Sequence, residues 1–498
     1  MRFLFRIFLL AGLLSAKALW AQQKLDIKHR LEALTDFYNY LSIPNTSDNQ
    51  RGIQQTLDFV SDYLEGTGVK TEIWQENQTR YLYGYRDVGA TKTVLIYLQL
   101  DALEADSSSW DQPDAFTPVL KMRKSGRWQP LEDVSTAVTL DSTYVFARGA
   151  SDSKGPSFAL LYALKQLSEF SIQPKVNLKI IGDTAEEKGS KDLNALVQSK
   201  AADLKADGLL ILDGTRSLAD IPTLTFGARG IAQLSLTTYG ALSELHSGQY
   251  GGITANPWYK MTTLVQTLVG ENERVLVTDF DPYKEIEEEE RYFRELTLGG
   301  YEELENRIGA PTLSRFQHPQ QDYQHPALIL KGMYSGNGSQ KIQTKIPSEV
   351  TAAFELRLTP ETPAERQFNL IEAHLENLGY TLIDSDPTPE QRKKISKLVR
   401  IEKSKGSIAF RTPLDASIGS WIEAGIQKSL GDTEILKLNT TGGSQPIGAF
   451  IEALNIEAVA LRIPNPDANI HAANENIALK NLFEGIESIL GILTTPFE

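Results

Sequence analysis

Apolar residues recur at helical spacing over residues 29–42 and 52–65, and Gly66 and Gly68 close the second segment. The pattern then changes. Residues 93–100 read TVLIYLQL, a near-continuous β-branched and aliphatic run of the kind expected in a strand buried on both faces. Residues 157–170 (SFALLYALKQLSEF) predict an amphipathic helix, and 176–182, 208–212 and 456–463 predict further buried strands. Helices alternating with such strands predict an α/β domain with a mostly parallel sheet.

The middle of the chain has a different pattern. Polar and apolar residues alternate in IAQLSLTTYG (231–240) and again in EVTAAFELRL (349–358), as in half-buried strands, with helical spacing at 257–269 and 365–378. This predicts an α+β lid, or dimerisation, domain interrupting the α/β domain. The expected boundaries are 22–220 and 410–498 for the α/β domain and 221–409 for the lid. The acidic run at 284–296 (KEIEEEERYFREL) lies inside the lid and reads as a solvated helix face.

Residues 1–21 stand apart. Arg2 and Arg6 precede an apolar run from Ile7 to Leu14, and small residues follow at Ala16, Ala18 and Ala21. This is the pattern of a secretory signal peptide, and the apolar run is too short to cross a bilayer. The chain is therefore expected to be exported, periplasmic or secreted, starting near Gln22 and with no membrane span. It contains no cysteine, so neither disulfides nor a lipid-modified cysteine anchor can form. A net charge of −14 argues against nucleic acid as a partner.

Chemistry-bearing side chains collect just beyond the ends of the expected strands. Asp101 follows TVLIYLQL, Glu186 and Glu187 follow VNLKIIGDTA, Asp213 follows GLLIL, and His471 comes a short loop after IEAVALRIP. Asp152, in RGASDSKGP, immediately precedes a helix. Open α/β sheets bind ligands outside the carboxyl ends of their strands. Taken singly each residue has an ordinary structural reading: a surface pair for Glu186 and Glu187, a hydrogen-bonded core histidine for His471. Their convergence on one sheet edge is what points to a site.

The motifs RGASDSKG (148–155), EEKGS (186–190), LDGT (212–215), RG (229–230), HSGQYGG (246–252), LRLTP (356–360), GGSQP (442–446) and HAANE (471–475) occur in this order. The series resembles the zinc peptidase and aminoacylase superfamily, nearest its carnosinase-like dipeptidases, over about residues 94–480. WDQPDAF (110–116) also resembles a Trp-x-x-x-Pro-Phe segment of that family, with one additional residue.

The resemblance implies a metal-dependent hydrolase of small peptides. Asp152 would bridge two metals, Glu187 and His471 would complete the first site, and Asp213 would serve the second. Glu186 would be the general base acting on a metal-activated water, and Asp101 would orient that base or a ligand. For the substrate, the resemblance implies His246, reaching from a partner subunit of a lid-mediated homodimer. It also implies Thr344, Arg357 for a substrate carboxylate, and Ser444 with Gly442 and Gly443. The residue types suit zinc: without cysteine it must be held by imidazole and carboxylate, and with only six histidines mainly by carboxylate.

Two departures change the picture. The family's first metal motif is His-x-Asp, whereas this chain has Gln99-Leu100-Asp101. An amide oxygen is a poor substitute for imidazole at zinc, so one tightly bound zinc is expected, with a second site that is weaker, empty or filled by a harder divalent ion such as manganese. Before GGS, where relatives carry an Arg-Glu pair, Thr440-Thr441 offers no charge to a substrate amino group. Three readings follow: a dipeptidase or carboxypeptidase, a deacylase of N-acyl amino acids, and a non-catalytic binding protein that keeps the cleft.

Overall fold

A computed structural model describes residues 25–284, 287–314, 316–335 and 344–498. The expected signal peptide at 1–21 and two residues of the acidic run lie outside the described residues. Among the described residues no helix is long and apolar enough to cross a membrane.

The buried runs form the centre of an eight-stranded sheet. Its order is Lys70–Glu76, Thr79–Arg86, Asn177–Asp183, Thr93–Gln99, Gly208–Leu212, Ala458–Arg462, Thr223–Thr225 and Leu436–Leu438. The four strands from Asn177–Asp183 to Ala458–Arg462 are mutually parallel, and Gly208–Leu212 and Ala458–Arg462 are buried along their whole length. Helices cover this sheet because their apolar positions match the helical period. In Gln50–Glu65 the residues Ile53, Leu57, Val60 and Leu64 are buried, and the Asn49 side chain caps the free backbone N–H of Gly52. Lys154–Glu169 is buried almost all round, packing against the Leu479–Leu493 helix as well as the sheet.

Contacts divide the chain into two compact units. The first comprises Met1–Gly227, Thr412–Asn439 and Ala449–Glu498, and the second Ala228–Arg411 with Thr440–Gly448. Residues 221–227, which the sequence assigns to the lid, fall in the first unit because Thr223–Thr225 pairs with both Ala458–Arg462 and Leu436–Leu438. The second unit carries a five-stranded sheet ordered Ala327–Tyr334, Glu349–Leu358, Gly230–Tyr239, Leu398–Lys405 and Thr381–Ile383. Val350, Ala352, Phe354 and Leu356 alternate into its core with Leu234 and Leu236, under Met261 and Leu264 of one helix and Phe368 and Ile371 of another. The opposite face of Glu349–Leu358 presents Glu355 and Arg357, neither of them buried.

Candidate metal centre

Three adjacent parallel strands end side by side and deliver the acidic groups. Gln99 is the last residue of Thr93–Gln99, Asp101 comes two residues later, and both are 1% exposed. Glu186 and Glu187 open a short turn after Asn177–Asp183, and Asp213 directly follows Gly208–Leu212. Asp152 lies in the loop before Lys154–Glu169, and His471 in the loop beyond Ala458–Arg462. His471 has φ 61°, a left-handed conformation uncommon outside glycine but adopted more readily by asparagine, aspartate and histidine than by other residues.

Asp152, Glu187 and His471 each offer one ligand atom, and these atoms lie within 4.8 Å of one another. His471 Nε2 is 2.9 Å from Asp152 Oδ2 and 3.3 Å from Glu187 Oε2. Those two hydrogen bonds raise the His471 pKa to about 10, so the ring carries a proton where the carboxylates converge. A shared divalent cation fits that position: three protein ligands with a remaining open side match the donor set of a catalytic zinc site. Burial pushes the Asp152 carboxyl up, and the His471 hydrogen bond pulls it back.

Asp101 organises the glutamate pair. Its Oδ1 accepts from the Glu186 N–H at 3.0 Å, and its Oδ2 from the Glu187 N–H at 3.1 Å and the Ser47 hydroxyl at 2.7 Å. Burial, reinforced by the Asp183 charge, pushes Asp101 up to about 7. Glu186 rises well above the ordinary carboxylate range, first through burial and then through the charges of Asp213, Asp152, Glu187 and Asp101. The raised proton affinity of a carboxylate so placed suits a group that takes up a proton from water and later gives it back.

Gln99 turns its amide toward Glu187, with Nε2 donating to Oε1 at 3.1 Å. Asp213 lies outside the three-ligand group; its Oδ1 accepts from the Ser153 hydroxyl at 2.7 Å.

Glu475, the last residue of HAANE, also belongs to the site, though nothing in the motif itself signals its part. It is fully buried, and its carboxylate accepts from Arg148 Nη1 at 2.8 Å and from the backbone N–H groups of Gly149, Ser151 and Asp152 at 2.9–3.0 Å. It therefore fixes the backbone that carries Asp152. The WDQPDAF segment braces the same loop: the Arg148 N–H donates to Ala115 O at 2.8 Å, and the Arg148 guanidinium lies 5.3 Å from the Trp110 ring.

The four residues with expected substrate roles all belong to the second unit. Leu245–His246 pairs with Lys345–Ile346, and the Ser247 N–H donates to Thr344 O at 3.0 Å, so exposed His246 and exposed Thr344 are brought together. His246 Nδ1 accepts from the Gly248 N–H at 3.1 Å. Arg357 pairs with Glu355 at 2.8 Å and reaches Ser444 Oγ at 3.5 Å. Arg229 supports the adjoining loop, donating to Gly442 O at 3.1 Å while its guanidinium lies 5.1 Å from the Tyr323 ring. A Cβ on Gly442 would fall 3.1 Å from that ring, a tight contact. Thr440 is buried, its N–H donating to Gln320 Oε1 at 3.3 Å.

Comparison with known proteins finds relatives over most of the chain. The model of Peptidase family M20/M25/M40 matches residues 125–495. The Cys-Gly metallodipeptidase of Schizosaccharomyces pombe is 27% identical over 430 residues, covering 81% of this chain and 79% of that protein. Two solved structures share the fold. An M20 family metallo-carboxypeptidase of Sulfolobus solfataricus superposes with a TM-score of 0.76 at 24% identity, covering 93% of this chain and 98% of its own. Human carnosine dipeptidase 1 gives 0.71 at 21% identity, covering 93% and 96%.

Proposed function

The chain belongs to peptidase family M20/M25/M40 and is a peptidase of it, and on that premise we propose that it hydrolyses dipeptides after export from the cytoplasm. The observation that carries this reading is the convergence of Asp152, Glu187 and His471, with Glu186 beside them. Those three residues would hold zinc, or manganese in its place. When bound, a divalent ion there supplies Lewis acidity toward a carbonyl and a water.

The remaining work falls to the chain's own side chains. Glu186 takes the proton of the attacking water and returns it to the departing amine, so its elevated proton affinity serves both steps. Asp101 keeps Glu186 and Glu187 in place through their backbone N–H groups. Arg357 grips the substrate carboxylate with its planar fork, already aligned by Glu355, and Ser444 lies beside it. His246, contributed by a partner subunit of a homodimer formed through the second unit, stabilises the developing oxyanion, with Thr344 next to it.

Thr440-Thr441 favours one second reading, deacylation of N-acyl amino acids, because neither residue offers a charge to a free amino terminus. Hydrolysis of a dipeptide panel and of N-acetyl amino acids by the metal-loaded protein decides between them. Turnover of dipeptides alone is expected, acyl amino acids alone would establish the deacylase, and neither would return the chain to a binding role.

A further inference from the structure

Beside the three-ligand group lies a buried cation that the proposed mechanism does not use. Arg462, the last residue of Ala458–Arg462, is 6% exposed. Its Nη1 donates to the backbone carbonyl of Asp213 at 2.7 Å and its Nε to Thr225 Oγ1 at 3.1 Å. Room for it depends on Gly214, which has φ +81°; a Cβ there would fall 1.8 Å from Nη1.

Arginine is seldom this buried unless paired, and the Nη2 of Arg462 has no hydrogen-bond partner. The compensating charge is Asp213, which acts on the guanidinium through space and opposes the effect of burial. The rest of the neighbourhood is closed by hydrogen bonds. The Ser153 hydroxyl has its shortest contact, 2.7 Å, with Asp213 Oδ1, and lies 3.2 Å from Asp152 Oδ1 and 3.5 Å from Gln99 Oε1. Gln99 spends its amide N–H on Glu187.

We propose that the Asp213 end of the site is a built-in substitute for a second metal ion. Arg462 supplies the positive charge there and the Ser153 hydroxyl the hydrogen bond, while Gln99 stands where a second ion would need imidazole and commits its amide to Glu187. Asp213 is then an anchor and not a ligand, and the chain binds one divalent ion, on Asp152, Glu187 and His471. A second dication would meet a fixed guanidinium across a low-dielectric gap and would find an amide where imidazole binds well.

The inference rests on the metal reading above, and one set of measurements separates their failures. The full chain is stripped with a chelator, titrated with zinc by isothermal calorimetry, and desalted for metal analysis. One tight ion per chain is expected, with any second at least a hundredfold weaker. Gln99→His alone should remain at one tight ion, because Arg462 keeps its charge. Arg462→Lys should do the same. Gln99→His combined with Arg462→Leu should take up a second ion at least tenfold more tightly than Gln99→His. Two tight ions in the unaltered chain overturn the inference whatever the variants do, as does a folded double variant that stays at one. No tight ion in the unaltered chain instead overturns the metal reading beneath it.

Discussion

Glu475→Gln isolates the least visible part of the site. The Glu475 carboxylate takes four N–H donors, one from the Arg148 guanidinium and three from the backbone of the loop that carries Asp152. Glutamine has the same shape but offers one oxygen, and its NH2 faces two of the donors. Two lost hydrogen bonds to a charged acceptor, at about 1.5–3 kcal/mol each, amount to roughly 3–6 kcal/mol. Breaking a buried ion pair from one side costs about 3–5 kcal/mol, so the two routes give the same size and are not to be added. Against a typical total stability of about 5–15 kcal/mol the variant still folds but unfolds at a much lower urea concentration. Urea unfolding of chelator-treated protein, followed by circular dichroism, measures this. The freed loop also loosens Asp152, so metal affinity should fall at least about tenfold, as for other residues that orient a ligand. A stability loss below about 1 kcal/mol with unchanged metal affinity would refute the account of how Asp152 is held.

Three further outcomes follow from the geometry. Glu186→Gln should reduce kcat by about 10²–10⁴ while leaving metal content unchanged, as steady-state kinetics and metal analysis of the same sample will show. His246→Ala and Glu186→Ala, each nearly inactive, should regain measurable activity when mixed under subunit exchange, and no recovery despite demonstrated exchange argues against a shared site. Arg357→Lys replaces a fork aligned by Glu355 with a point charge, so KM should rise about tenfold or more for dipeptides with a free carboxylate and change little for their C-terminal amides.

The parts of the molecule legible in the sequence are those where burial is continuous or strictly periodic. TVLIYLQL and GLLIL have polar neighbours only at their ends, so both the strands and the acids just past them stand out. The small antiparallel sheet built from Val119–Lys124, Arg127–Pro130, Thr143–Phe146 and Asn476–Ala478 was not legible in this way. Lys121, Arg123 and Lys124 break any apolar run there, and the signal was the Ser125-Gly126 pair, both residues with positive φ, closing a two-residue hairpin between Lys124 and Arg127. Partners far apart in the chain leave no local trace. Glu475 reaches back 323 residues to the Asp152 N–H, and Arg462 reaches 249 residues to Asp213. Gln99 illustrates the converse: its departure from histidine is plain in the sequence, but only the fold shows its amide committed to Glu187.

Hydrolysis by this chain should depend on a metal held by Asp152, Glu187 and His471. Dipeptide hydrolysis by the chelator-stripped protein, measured as zinc or manganese is added back to the unaltered chain and to His471→Ala, tests it most directly. No turnover is expected without metal, with full recovery by about one equivalent in the unaltered chain and neither tight binding nor recovery in His471→Ala. Undiminished hydrolysis after complete metal removal, or a His471→Ala variant that binds and turns over as the unaltered chain does, would contradict it.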